Sequence, residues 1–464
     1  MVKIGLECHV QLQTKTKLFC GCPNKFTEEP NVYVCGQCLG FPGSKPRLNS
    51  KAVELGTRIG IALNCKFPKE MFFSRKSYFY PDMAKNFQIT QYEIPLCKEG
   101  RLTAGGKKIR IRRVHMEEDP ARIVHVGGLM HAEYTLLDYN RSGVPLCEIV
   151  TEPDFSSAKE ARIFLAGLSS ILEYLGVLDP SAEGSMRVDA NISVAETRVE
   201  IKNISGFKDV EKALEYEIVR QQGVLRRGGK IDRETRAWDA VAGVTRSLRL
   251  KEEEEDYGYI FDSDLPKITL KNIAEIKAAL PELASDKIIR YQKDMKVAED
   301  LAVAITSEPS LASMFEEVVE TMGTPQGIQL AARWFAGEIK KTLNYSSLRM
   351  KDTALKAGHI EKLFRLIEEQ KLTERAAELL FRDMALKPQD PEDMMKARGL
   401  GRIYDEKELE PFVKEAMNEN VQAILDYKTG KPEAFHFLVG QVMRKTKGRG
   451  DPDTIRKLLS KKLK

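Results

Sequence analysis

The 464-residue chain has no run of about 18 consecutive apolar residues, so no membrane-spanning helix is expected. No charged stretch followed by an apolar one precedes the first strand-like segment, so no secretory leader is expected and the cytoplasm is the expected compartment. No Walker-type phosphate loop and no dinucleotide fingerprint occurs, and neither Gly105-Gly106-Lys107 nor Gly228-Gly229-Lys230 supplies one. A nucleotide, if used, must be held in a less common way. Charge of either sign is barely in excess: 73 Lys and Arg against 68 Asp and Glu leave +5, which permits an RNA partner without demanding one. Cysteine is scarce, with eight residues, and in a reducing compartment clustered thiols point to metal before disulfide. What is abundant is ordinary globular material, 42% apolar and 30% charged, with length for two to four domains.

The chemistry concentrates in the stretch from Ile111 to Asp154. Its first acidic run, His115-Met116-Glu117-Glu118-Asp119, follows the apolar residues Ile111 and Val114. Its second carries Glu148 inside the apolar run of Leu146, Ile149 and Val150. A carboxylate within an apolar run is costly unless paired, hydrogen-bonded or bound to a metal. Turn acids on a solvated edge are the plainer reading, but the placement of Glu148 favours a cation site.

Residues 2–12 alternate, with Val2, Ile4, Leu6, Cys8, Val10 and Leu12 on one face and Glu7 and His9 on the other. That pattern predicts a half-buried strand with Glu7 and His9 about 7 Å apart at the α-carbons. They are either metal ligands, an acid–base pair or a solvated polar edge. Cys20-Gly21-Cys22 and Cys35-Gly36-Gln37-Cys38 are two close thiol pairs, as a closed four-thiolate zinc site requires. The first pair has a single intervening residue, so free thiols and a redox pair remain alternatives. From Ser74 to Gln91 cations and aromatics interleave, including Lys76, Tyr78, Tyr80 and Lys85, a composition suited to phosphate and base contacts or to a plain polar strand edge. Residues 157–175 read as an amphipathic helix. Residues 186–194 read as a strand presenting Arg187, Asp189, Asn191 and Ser193 on one face, and a further strand presents Arg198, Glu200 and Lys202. Such rows suit the floor of an open antiparallel sheet.

Strand alternation gives way to helical periodicity near residue 270, just after a charged rim at Lys251 to Asp256. Residues 440–464 hold nine Lys or Arg and two Asp, a basic helical end that suits a phosphate backbone or is simply solvated. The expected class is α+β: an antiparallel-sheet cradle over 1–270, a helical domain over 271–403 and a small helical tail over 404–464.

Six motifs then occur in order. They are Ile4 to Val10 (IGLECHV), Tyr78 to Asp82 (YFYPD), His115 to Asp119 (HMEED), Glu148 to Asp154 (EIVTEPD), Arg187 to Asn191 (RVDAN) and Phe437 to Gln441 (FLVGQ). Together they resemble the B subunit of the tRNA-dependent amidotransferases, which convert Asp-tRNA(Asn) or Glu-tRNA(Gln) to the amide form. The resemblance runs from the first strand to the last helix. It implies a kinase-like cradle in which ATP phosphorylates the side-chain carboxylate of the misacylated amino acid and ammonia from a partner attacks the acyl phosphate. It implies Mg2+ on Glu7, His9, Glu118 and Glu148, an ammonia path ending near Lys76 and Glu118, and nucleotide or phosphate contacts at Tyr80, Lys85, Arg187, Asp189, Asn191 and Lys202. It implies an amidase A subunit and a small C subunit in a heterotrimer, with misacylated tRNA(Asn) or tRNA(Gln) touching the tail. Many bacterial members lack Cys20, Cys22, Cys35 and Cys38, so structural Zn2+ is a feature expected here. The archaeal E subunit carries a synthetase-like insertion for which this length leaves no room. Neither an amidase-type Gly/Ser run nor a nucleophile elbow occurs, so glutaminase chemistry belongs to the partner.

Overall fold

The computed structural model describes residues 2–127, 132–182, 184–204, 206–250 and 258–463. The charged rim expected at Lys251 to Asp256 lies outside the described residues. The chain divides into two compact units, Met1–Leu283 and Ala284–Lys464.

The first unit is organised by an eight-stranded sheet. In chain order its strands are β1 (Lys3–Gln11), β2 (Cys97–Ala104), β3 (Lys107–Glu118), β4 (Pro145–Thr151), β5 (Met186–Ser193), β6 (Val199–Ile204), β7 (Glu234–Asp239) and β8 (Val244–Leu250). Their order across the sheet is β8-β7-β6-β5-β1-β4-β3-β2. Every pairing is antiparallel except β6 with β7. The alternation expected for β1 is realised: Ile4, Leu6, Cys8 and Val10 are at most 1% exposed. Each large apolar side chain so buried contributes about 1.5–3 kcal/mol relative to solvent exposure.

Three helices cover that apolar face: α1 (Ser50–Ala62), α2 (Ala158–Tyr174) and α3 (Phe207–Arg226). Helix α2 starts where Ser157 Oγ accepts from Glu160 N at 3.2 Å and the Glu160 carboxylate accepts from Ser156 N at 2.9 Å, satisfying donors a helix start leaves over. Phe164, Leu165, Leu168 and Leu172 then face the sheet in one core with Leu55, Ile59 and Leu214. With one face so covered, the other face of β1, β3, β4, β5 and β6 is left to its polar residues.

Smaller sheets flank this one. Strand Ser74–Ser77 lies between Phe87–Thr90 and Gly258–Phe261, and a hairpin pairs Arg122–Val126 with Tyr134–Asp138. The second unit is helical and carries two separate cores. One includes Phe315, Phe335, Leu363, Phe364 and Phe381. The other includes Leu409, Val413, Leu438, Val442, Ile455 and Leu459. No described helix is long and apolar enough to cross a membrane.

Candidate active site and metal centres

The site grows out of register. Across β1 and β4, His9 faces Glu148; across β4 and β3, Glu148 faces His115. Glu117 follows His115 by two residues and so shares its face. His9 Nε2 lies 3.8 Å from Glu117 Oε1 and 3.7 Å from Glu148 Oε2. His115 Nε2 lies 2.9 Å from Glu148 Oε2 and 3.8 Å from Glu117 Oε2. Burial alone would favour the neutral forms of these groups. Their mutual attraction wins. Glu148 is held well below the usual carboxylate range by His115 and His9, and Glu117 is lowered by His115. Against its own burial, the His115 imidazole is pushed up to about 9 by Glu148 and Glu117. His9, Glu117 and Glu148 each offer one ligand atom, all within 4.8 Å of one another. Two ionised carboxylates and an imidazole at that spacing fit a divalent cation.

A second acid group adjoins it. Glu7 faces Asp189 across β1 and β5, and with Glu200 their oxygens come within 4.8 Å of one another. Asn191 Nδ2 donates to Glu7 Oε1 at 2.8 Å, and Thr235 Oγ1 donates to Glu200 Oε2 at 3.0 Å. Lys202 Nζ donates to Asp189 Oδ2 at 2.9 Å and lies 3.7 Å from Glu200. Burial opposes the Lys202 ammonium, but Asp189 and Glu200 hold its pKa well above the usual lysine value. Both groups line one cavity of about 290 Å³, together with Lys76, Arg112, Arg113, Arg198 and Arg233. Its wall includes Tyr92 and Tyr259, whose rings stack at 3.9 Å between centroids. Acids are therefore set beside cations and an aromatic surface, the combination needed to hold a metal, phosphates and a flat ring.

Most of the residues expected from the sequence meet here: Glu7, His9, Glu148, Lys76, Asp189 and Lys202 line this cavity. Asn191 reaches it through Glu7. Arg187 is the cross-strand neighbour of His9 and lines an adjoining space with His9, Glu117, Asp189 and Lys202. Its Nη2 donates to Oδ1 of the fully buried Asp119 at 2.8 Å.

Glu118 is placed elsewhere, which corrects the expected ligand set. Consecutive residues of a strand point to opposite faces, so Glu117 enters the cluster and Glu118 leaves it. The Glu118 carboxylate pairs with Lys85 and accepts from Ile89 N at 2.8 Å. Both members of that pair are buried, with side chains 3% and 6% exposed. Lys85 is thereby committed to Glu118, and it lines none of the cavities around the acids. Tyr80 is 54% exposed and lines none of them either. Glu117, His115, Glu200, Arg112, Arg113, Arg198, Arg233 and the two tyrosines are lining residues to which sequence reasoning gave no site role. For Glu117 the signal was present, since His115 and Glu117 alternate as Glu7 and His9 do.

The four clustered cysteines also converge. Cys38 Sγ lies 3.7 Å from Cys20 Sγ, 3.9 Å from Cys35 Sγ and 4.0 Å from Cys22 Sγ. A tetrahedron of zinc–sulfur bonds of about 2.3 Å has edges of about 3.8 Å, so the spacing fits a closed tetrathiolate. The Cys20 thiol and, against burial, the Lys17 ammonium 3.3 Å away pull Cys38 down to about 4. All four thiols are free of disulfides.

Fold and site together define a class: an α+β catalytic cradle followed by a helical half. Two family models match accordingly, the GatB/GatE catalytic domain over residues 2–275 and the GatB domain over residues 313–463. The chain is 43% identical over 476 residues to the B subunit of the aspartyl/glutamyl-tRNA(Asn/Gln) amidotransferase of Thermotoga neapolitana, covering 99% of this chain and 98% of that one. Its identity to the protein of the same name from Saccharolobus solfataricus is 44% over 473 residues, covering 100% and 99%. For that of Haloquadratum walsbyi it is 42% over 484 residues, covering 99% and 96%. The chain belongs to the family of B subunits of the aspartyl/glutamyl-tRNA(Asn/Gln) amidotransferases, and hence to a family of ligases of protein biosynthesis.

Proposed function

We propose that this chain activates the side-chain carboxylate of misacylated Asp-tRNA(Asn), Glu-tRNA(Gln) or both with ATP, and that ammonia from a partner amidase converts it to the amide. A free carboxylate is a poor acylating agent. Phosphorylation gives it a leaving group, ammonia attacks the acyl carbon, and phosphate departs. The observation that supports this best is the set of half-buried His9 and buried Glu117 and Glu148 beside a rim of cations. These three residues would hold Mg2+, which when bound neutralises phosphate charge and aligns the in-line transfer. Around it the chain's own groups position the reactants. His115 orients Glu148 by donating from Nε2, as an outer partner of a metal ligand does. Lys76, Arg113, Arg198 and Arg233 line the cavity and would face phosphate oxygens there. Cys20, Cys22, Cys35 and Cys38 would hold a structural Zn2+ with no position open to substrate.

Glutamine hydrolysis belongs to an A-type amidase subunit, joined by a small C subunit in a heterotrimer acting in the cytoplasm. The basic tail from 404 onward contributes tRNA contacts. A non-catalytic tRNA-binding module is the competing reading, and it has no use for ionised acids converging at one point. The deciding experiment mixes the chain with candidate amidase partners and supplies ATP, Mg2+, glutamine and each misacylated tRNA. Amide-bearing aminoacyl-tRNA formed only with ATP is the expected result. Tight tRNA binding with no amide formed would sink the catalytic reading.

A further inference from the structure

One cavity of the first unit is unused by the chemistry above. It measures about 600 Å³, within the usual range for a small-molecule site, and its lining includes Gln11, Gln13, Lys25, Phe26, Arg122 and Arg187. It adjoins the acid site along a ruler. Glu7, His9 and Gln11 lie on the same face of β1, each about 7 Å from the next. The first two line the acid cavity and Gln11 lines this one. Arg141 and Arg187 line both this cavity and the space that also contains His9, Glu117 and Asp189. Their guanidinium groups are fixed in that dividing wall. Arg141 donates to the carbonyl oxygens of Pro120 and Ala121, each at 3.0 Å, and Arg187 donates to Asp119.

We infer that this second cavity receives the 3′-terminal nucleotide of the aminoacyl-tRNA, with the ester-linked amino acid directed past Arg187 toward His9 and Glu117. The inference rests on the function proposed above and adds the subsite. Phe26 is 79% exposed on a segment that is nonetheless anchored: Asn24 Nδ2 donates to Leu12 O at 3.1 Å, and Asn24 N donates to Lys15 O at 3.1 Å. An exposed aromatic ring on a cavity wall is a stacking surface for one base. Lys25 and Arg122 stand on the same cavity with no ion pair among the described residues, and both suit a phosphodiester. A metal–triphosphate does not suit this cavity. Its lining holds one carboxylate, Asp138, whose Oδ1 already accepts from the backbone N–H groups of Asn31 and Asn140, each at 3.0 Å. The triphosphate belongs beside the acids, and the single terminal nucleotide belongs here.

The test uses the full chain assembled with its amidase partner and two probes, deacylated cognate tRNA and the same tRNA trimmed of its terminal adenosine. Phe26→Ala is expected to weaken binding of intact tRNA about tenfold, a typical loss for one stacked base. It is expected to leave binding of trimmed tRNA unchanged, and Phe26→Trp is expected to keep wild-type affinity for both. Equal weakening for both probes, or for neither, overturns the assignment. Amidation by the wild-type complex is measured alongside. If it amidates no misacylated tRNA, the proposed function itself fails. If it does, and Phe26→Ala binds both tRNAs normally, only the subsite is wrong.

Discussion

At the scale of single residues, Glu117 and Glu118 separate two roles that adjacent acids might be thought to share. Glu117 faces His9 and is one of the three groups able to hold a cation, so Glu117→Gln is expected to lower ATP-dependent amidation by about 100-fold or more. Its melting temperature should stay near wild type, and an assay showing normal turnover would remove Glu117 from the site. Glu118→Gln acts differently, because it strands the buried ammonium of Lys85. Removing one partner of a buried pair costs about 3–5 kcal/mol. Denaturant unfolding should show that loss, and Lys85→Met in the same chain should recover much of it. An unchanged unfolding midpoint for Glu118→Gln would mean that the pair contributes nothing to stability. The choice between the two glutamates was readable from strand period alone. The commitment of Lys85 to Glu118 was not, because 33 positions separate them and only the packing of strand Phe87–Thr90 beside β3 joins them.

Among elements, the decisive ones are strands whose two faces carry unlike residues. The alternation of β1 and β5 was plain in the sequence, as were the polar rows of Glu7 with His9 and of Arg187 with Asp189. Their mutual register was not, since a shift by one residue would turn each row to the other face. The thiol segment between β1 and α1 brings its four sulfurs together. Its sulfurs lie at tetrahedral spacing, so the purified protein is expected to contain about one zinc per chain. Cys35→Ser with Cys38→Ser should reduce that to near zero by elemental analysis. Zinc retained in full by the double variant would exclude the tetrathiolate. Because Lys17 donates both to Cys38 Sγ and to the carbonyl oxygens of Tyr33 and Tyr139, loss of the metal should also loosen the backbone at Tyr33 and at Tyr139.

For the whole molecule, the second unit's two cores make a separable prediction. Leu409, Val413, Leu438, Val442, Ile455 and Leu459 form their own cluster. Deleting residues 404–464 should therefore leave the first unit folded, weaken tRNA binding at matched salt, and spare tRNA-independent glutaminase activity in the assembled complex. A salt dependence of tRNA affinity identical to that of the full chain would rule out phosphate contacts in the tail. The sequence by itself determined the α+β order of strands followed by helices, the apolar faces of β1 and β5 and the ordered motifs that mark the family. Those are local properties, written in periods of two and 3.6 residues and in the identity of neighbours. Tertiary structure alone decided which acids meet. It committed Lys85 to Glu118, set Glu200 beside Glu7 and Asp189, and gathered Phe26, Arg122 and Arg187 around one cavity. Those outcomes depend on which strands lie side by side and in what register, and register is fixed by the packing of the whole sheet against its helices.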